Sequence, residues 1–289
     1  MIKKTVLGLL AIGLIAMSCS SDDDNNSGPT MADLTLNLQG LEVLGSDYVY
    51  EGWIIVDGSP VSTGTFTSAT FPQTFSVDET QLNNATRFVL SIEPAVDPDP
   101  APADTKILVG DFNGTTASVN TAIVGDFSNA SGAFFLRTPT DESGTNNGND
   151  ENGVWFGTPG APPTPNFVLP TLPDGWAYEG WVVGDSGPLS TGTFTAFDVA
   201  DTSAPFSGPA GGPPVPGEDF FENAPTGETF PLDVRGRTVV ISVEPVPDDS
   251  PAPFAIKPLV GTAGNDTAPA THAFGANLGS LPTGSVTRN

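Results

Sequence analysis

The chain has 289 residues, with 9 Lys plus Arg against 34 Asp plus Glu and a formal charge of −25. That balance excludes nucleic acid as a partner, because nothing in it neutralises phosphates, and it gives anionic headgroups nothing to hold. A single cysteine and a single histidine exclude a disulfide-held fold and the usual zinc sites.

The first segment is a leader. Lys3 and Lys4 precede an apolar run, Thr5–Ser18, whose length suits a signal-peptide core and is short for a bilayer span. Cys19 follows Ala16-Met17-Ser18 directly, which resembles the bacterial lipobox, where the cysteine is acylated and becomes the first mature residue. An ordinary secretory signal cleaved nearby is the alternative. Loss of residues 1–18 takes two of the nine basic residues and none of the 34 acidic ones, leaving a formal charge of −27. The membrane is then held through lipid on Cys19 alone. Residues 19–30 read as a flexible acidic tether. Within it, Ser21-Asp22-Asp23-Asp24 resembles the export signal that places lipoproteins of Bacteroidetes, flavobacteria especially, on the outer face of the outer membrane. A periplasm-facing lipoprotein is the alternative address.

Beyond residue 30 the pattern is β. Leu34, Leu36 and Leu38 alternate with polar residues, and Tyr48–Val56 is a second strand. Turn chemistry at Asp57-Gly58-Ser59-Pro60 returns the chain along Val61–Thr67 as a hairpin. Arg87–Glu93 is a further strand, ended by Pro94, and Lys106–Val109 another. Gly132–Arg137 and Gly153–Phe156 read as strands on either side of a loop rich in Asp, Asn and Gly. No stretch after the leader keeps apolar residues at helical spacing. Gly and Pro, 33 and 29 residues, are spread as punctuation between short elements.

The motif Tyr50-Glu51-Gly52-Trp53 through Pro60, Ser62-Thr63-Gly64-Thr65-Phe66 returns without a gap as Tyr178-Glu179-Gly180-Trp181 through Pro188, Ser190-Thr191-Gly192-Thr193-Phe194. A second block, Ser91-Ile92-Glu93-Pro94 with Lys106, returns at a larger offset as Ser242-Val243-Glu244-Pro245 with Lys257. The second copy therefore carries an insertion between its blocks. The expected architecture is all-β, with two tandem β-sandwich domains after the signal peptide and tether. Repeat 1 is assigned residues 31–129 and repeat 2 residues 130–289, with a long surface loop over 196–238. In each copy the lysine follows the glutamate at the same spacing, which suggests an ion pair across the loop, Glu93 with Lys106 and Glu244 with Lys257. Trp53 and Trp181, flanked by apolar residues, are expected in the core.

Tyr50, Trp53, Pro60, Gly64, Phe66, Glu93 and Pro94, with Tyr178, Trp181, Pro188, Gly192, Phe194, Glu244 and Pro245, form a pattern that resembles the extracytoplasmic domain of anti-sigma-K factors. The resemblance implies a small β-sandwich. It does not extend to sigma-factor binding, which in that family belongs to a cytoplasmic helical segment joined through a membrane span.

Chemistry is sparse. His272 has no second His or Cys to work with, and no catalytic residues, metal ligands or cofactor are expected. Asp141–Gly153 is dense in oxygen but lacks the spacing of a calcium loop, so a solvated hairpin loop is expected there. Glu51 with Glu93, and Glu179 with Glu244, could flank a glycosidic bond, but a duplicated pair fits a duplicated scaffold better. The function expected is therefore a non-enzymatic, surface-anchored module for adhesion, binding or envelope structure, with an extracellular protein or glycan as possible partner. A glycan-handling protein and a sensory ectodomain are the rivals.

Overall fold

A computed structural model describes residues 28–141, 148–248 and 250–289. Cys19 and the export signal Ser21–Asp24 lie outside the described residues. In chain order the elements are β1 (Met31–Gln39), β2 (Tyr48–Val56), β3 (Ser59–Phe66), β4 (Gln73–Asp78), α1 (Glu79–Asn84), β5 (Arg87–Pro94), β6 (Lys106–Asn113) and β7 (Thr116–Asn120). There follow β8 (Ala133–Phe135), β9 (Gly153–Phe156), β10 (Trp176–Val183), β11 (Pro188–Phe194), β12 (Gly217–Asp219) and β13 (Thr238–Pro245). The last are β14 (Ile256–Thr262), β15 (His272–Ala273), β16 (Gly275–Ala276) and β17 (Thr283–Arg288). The protein is all-β, and every strand pair among the described residues is antiparallel.

Repeat 1 is an eight-stranded sheet in the order β3-β2-β5-β6-β7-β17-β1-β4. The sheet curls until its edges approach. Phe66 on β3 meets Phe75 on β4 with ring centroids 5.7 Å apart, and Leu34, Leu36, Leu38, Phe88 and Leu90 fill the interior. The β2–β3 hairpin turns on Asp57 and Gly58, both with positive φ (51° and 81°), the backbone that a two-residue turn of matching twist requires. The short helix α1 is capped by Asp78, whose carboxylate accepts from Gln81 N at 2.9 Å. It is too short to leave a helical period in the sequence.

Repeat 2 faces a five-stranded sheet, β11-β10-β13-β14-β16, with a four-stranded one, β12-β9-β8-β15. Phenylalanines join the layers: Phe156 on β9 lies 6.1 Å from Phe194 on β11, and Phe134 on β8 lies 4.9 Å from Phe274. One hydrophobic core runs through both repeats.

Two assignments made from sequence are corrected. Residues 283–288, placed with repeat 2, form β17 in the sheet of repeat 1, between β7 and β1. Only Val286 in that strand is apolar and buried, so the pattern announced nothing; the strand exists because two neighbours supply its ladder. The stretch 196–238 is not simply a surface loop. It contributes β12 and buries Val215, Phe220, Leu232 and Val234, since β9 would otherwise be an uncovered edge.

Arg288 ties the end of β17 down. Its guanidinium donates to the carbonyls of Leu82 (2.8 Å), Asn83 (3.0 Å), Ala85 (3.1 Å) and Gly114 (2.6 Å), and lies 4.7 Å above the ring of Phe112. Deleting residues 283–289 should therefore open repeat 1 selectively. By hydrogen exchange, amides of Leu34–Leu38 are expected to lose protection while those of Val239–Val243 keep it. Equal protection of both sets in the truncated chain would contradict the assignment of β17.

Candidate functional site

The duplicated residues converge on one polar assembly in each repeat. In repeat 1, Trp53 Nε1 donates to Ser91 Oγ at 2.8 Å, and Ser91 Oγ donates to Glu93. The Glu93 carboxylate also accepts from Ala103 N at 2.9 and 3.2 Å. In repeat 2, Trp181 Nε1 donates to Ser242 Oγ at 2.7 Å, Ser242 Oγ donates to Glu244, and Glu244 accepts from Phe254 N at 2.9 and 3.1 Å. Both glutamates are buried, with 1% and 0% of their surface exposed. A carboxylate in such a place is tolerable only when donors surround it.

The expected ion pairs do not form. Lys106 Nζ donates to the carbonyl of Ala103 at 2.7 Å, and Lys257 Nζ to that of Phe254 at 2.5 Å. Glutamate and lysine thus grip the same residue of the loop from its two ends, one taking the N–H and the other the carbonyl. A strand pair cannot bond these groups because Pro94 and Pro245 have already ended the ladder.

The remaining signature residues brace the hairpin. Between Gly52 and Trp53 the β2–β3 register shifts, and between Gly180 and Trp181 the β10–β11 register shifts, leaving Thr63 and Thr191 as the extra residues. Gly64 and Gly192 hold φ of +116° and +107° beside them, which only glycine adopts without strain. A side chain at Gly180 would collide with the Phe156 ring, so the layers can close only over a glycine. Ser62 and Ser190 accept from Gly64 N (3.2 Å) and Gly192 N (3.0 Å) and donate to Glu51 and Glu179. Tyr50 Oη donates to Glu42 O at 2.9 Å and Tyr178 Oη to Pro170 O at 2.6 Å, each reaching back to the segment that leads into its strand. Trp53 and Trp181 are 3% and 2% exposed, and Trp155 and Trp176 are equally buried.

The repeats meet at a cleft of about 380 Å³. Leu44, Tyr48 and Ile92 of repeat 1 face Val246, Asp248 and Phe254 of repeat 2 across it, so each repeat presents the loop that follows its buried glutamate. Lys257 lies near both Glu42 and Glu244. Burial lowers the lysine's pKa and raises those of the two acids; the opposite charges offset part of the shift at Lys257 and Glu42, while at Glu244 the hydrogen bonds from Ser242 and Phe254 do so.

Repeat 2 collects further acids that no sequence motif singled out. Asp219 accepts from Trp155 Nε1 at 2.8 Å and from Thr140 N and Oγ1 at 2.8 and 2.5 Å. Asp201 accepts from Gly217 N at 2.9 Å, and Glu218 from Ser207 Oγ. Their signal was present, since Gly217-Glu218-Asp219-Phe220 follows the proline-rich run directly, but nothing in it marks a buried strand. Asp248 was more legible: Glu93-Pro94-Ala95-Val96-Asp97 and Glu244-Pro245-Val246-Pro247-Asp248 repeat one frame. His272 is a strut, with Nδ1 accepting from Gly264 N at 3.1 Å and Nε2 bonded to Asp266 O at 2.9 Å. In the stretch 141–153, Asp150 accepts from Thr138 N at 3.1 Å and is buried.

Burial, above all, pushes Glu179 and Asp201 up to about 7, Glu218 and Glu244 up to about 8, and Asp219 up to about 6. The unfolded chain releases these protons near pH 4, whereas the folded chain holds them to pH 6–8. Their contribution to stability is fully present below the unfolded values and is lost as pH rises through the folded ones. In excess chelator the melting temperature should therefore fall between about pH 5 and pH 8; a melting temperature that rises over that interval would contradict the burial of these acids. Trp53→Ala and Trp181→Ala should each cost about 3–5 kcal/mol, measured by denaturant unfolding, through the cavity and the donor lost to Ser91 or Ser242.

Against known proteins, residues 27–106 match the family model described as anti-sigma-K factor rskA, C-terminal. The match covers β1 to β5 and reaches the lysine of the first clamp, so repeat 1 contains an anti-sigma-K-like domain. No curated protein and no solved structure matches the chain.

Proposed function

We propose that the chain is a non-enzymatic lipoprotein, anchored through Cys19 and carried to the cell surface by Ser21–Asp24, that displays two β modules for binding or for envelope structure. The observation that carries this reading is where the signature residues go. Tyr50, Trp53 and Glu93 in one repeat, and Tyr178, Trp181 and Glu244 in the other, are buried and bonded to the chain itself. What was duplicated is a scaffold, and its exposed loops are free to differ. Glycan processing is not favoured: Glu93 and Glu244 are out of reach of a substrate, and all four tryptophans are too buried to stack on a sugar. His272 has both ring nitrogens committed to backbone groups. Among the described residues no helix is long and apolar enough to cross a membrane.

A sensory ectodomain is the second reading, and the family-model match over residues 27–106 favours it. A sigma factor and a transmembrane regulator encoded beside this chain would discriminate in its favour.

Cells fed a labelled fatty acid test the anchor. The wild-type chain should take up label and Cys19→Ala should not; label retained by the variant would refute the assignment. Replacing Asp22, Asp23 and Asp24 with alanine should leave labelling intact while protecting the protein from external protease. Unchanged protease access would remove the surface address.

A further inference from the structure

The acids of repeat 2 include a group that the scaffold alone does not explain. Glu179 on β10, Glu244 on β13 and Asp248 in the loop beyond each bring a carboxylate oxygen within 4.8 Å of the others. Among the described residues this is the group of three His, Cys, Asp or Glu side chains that closes so tightly. Glu179 is 5% exposed; its Oε1 accepts from Ser190, while its Oε2 is buried with no hydrogen-bond partner. An orphaned carboxylate oxygen beside two further carboxylates is costly unless a proton or a cation is shared among them. Lys257 adds positive charge near Glu244, but its Nζ bonds the carbonyl of Phe254 and forms no ion pair with any of the three carboxylates.

We propose that Glu179, Glu244 and Asp248 form a calcium site, reached through Asp248, which lines the cleft between the repeats. The donors are all oxygen, with no imidazole or thiolate among them, which selects a hard cation. With the three oxygens within 4.8 Å of one another, a central ion lies within about 2.8 Å of each, and shifts of a few tenths of an ångström bring them to Ca–O distances of about 2.3–2.6 Å. Calcium accepts an irregular shell completed by water, whereas magnesium demands a tighter octahedron and keeps most of its own waters. Two charges on the ion set against three ionised carboxylates leave a net charge of −1, and Asp201, the next acid facing Glu179, adds to the attraction. Binding joins β10 and β13 to Asp248, which lies on one wall of the cleft.

The same three positions occur in repeat 1 as Glu51, Glu93 and Asp97, by the two offsets that relate the copies. Glu51 and Asp97 both lie close enough to Glu93 to raise its pKa, yet Glu51 is only half-buried and carries no orphaned oxygen. The inference is therefore confined to repeat 2, and it stands apart from the question of anchoring.

The test uses the full chain purified in detergent, stripped with chelator, at about pH 7.5. Thermal unfolding is followed with and without about 10 mM calcium chloride. Extracellular calcium modules bind with dissociation constants of about 10⁻⁴–10⁻³ M, which for a protein of this size converts to a rise of about 3–10 °C. Glu179→Gln and Asp248→Asn should each abolish the rise, and Glu222→Gln, an exposed acid elsewhere, should retain it. Asp248 is itself exposed, so Asp248→Asn keeps the fold even if Glu179→Gln does not. Titration calorimetry should give one ion per chain. The proposal is overturned if the wild-type chain shows no rise, or if the rise persists in Asp248→Asn, which would make calcium a diffuse counter-ion of an acidic surface.

Discussion

A buried carboxylate that reaches across a loop to a backbone amide is the constraint on which both repeats depend. Glu93 and Glu244 sit where the central strand ends at proline, and the loop that follows has no ladder to join. Each glutamate takes one N–H of that loop, and each lysine takes the carbonyl of the same residue. Serine and tryptophan then satisfy the glutamate from inside. Removal of any member strands another in a dry interior, where an unpaired polar group costs about 1–3 kcal/mol and a charged one more. That interdependence explains why these residues recur together while the surrounding loops differ in length and composition.

The copies have diverged in how they close. Repeat 1 curls one sheet and borrows β17, a strand from the far end of the chain, to fill the gap between β7 and β1. Repeat 2 uses its insertion to build β12 and extend a second layer. With that layer come Asp201, Glu218 and Asp219, all raised by desolvation. The second module is thus the more acidic inside, and the cleft between the repeats draws one wall from it. The anti-sigma-K-like match is confined to residues 27–106 and ends before the residues that distinguish repeat 2.

Much of the fold was legible. Tyr48–Val56 and Gly153–Phe156 were bounded by turn residues and agree with β2 and β9 to the residue. What escaped notice depends on tertiary context. Thr283–Arg288 reads as polar coil because its neighbours, not its side chains, make it a strand. Gly217–Asp219 hid behind prolines. The ion pairs were misread because spacing reports that two side chains approach one place, not which atoms they take there. The acid triad needed Glu179 and Glu244 to be recognised as neighbours across β10 and β13, although the insertion separates them widely in sequence.

The central claim is that tryptophan, serine and glutamate act as one structural unit. A double-mutant cycle between Trp181→Phe and Glu244→Gln, read by denaturant unfolding, measures it most directly. The two residues are linked through Ser242. A coupling energy of about 0.5–3 kcal/mol is the result this account predicts. Effects that add to within about 0.3 kcal/mol would show that the glutamate and the tryptophan stabilise repeat 2 independently, and would contradict it.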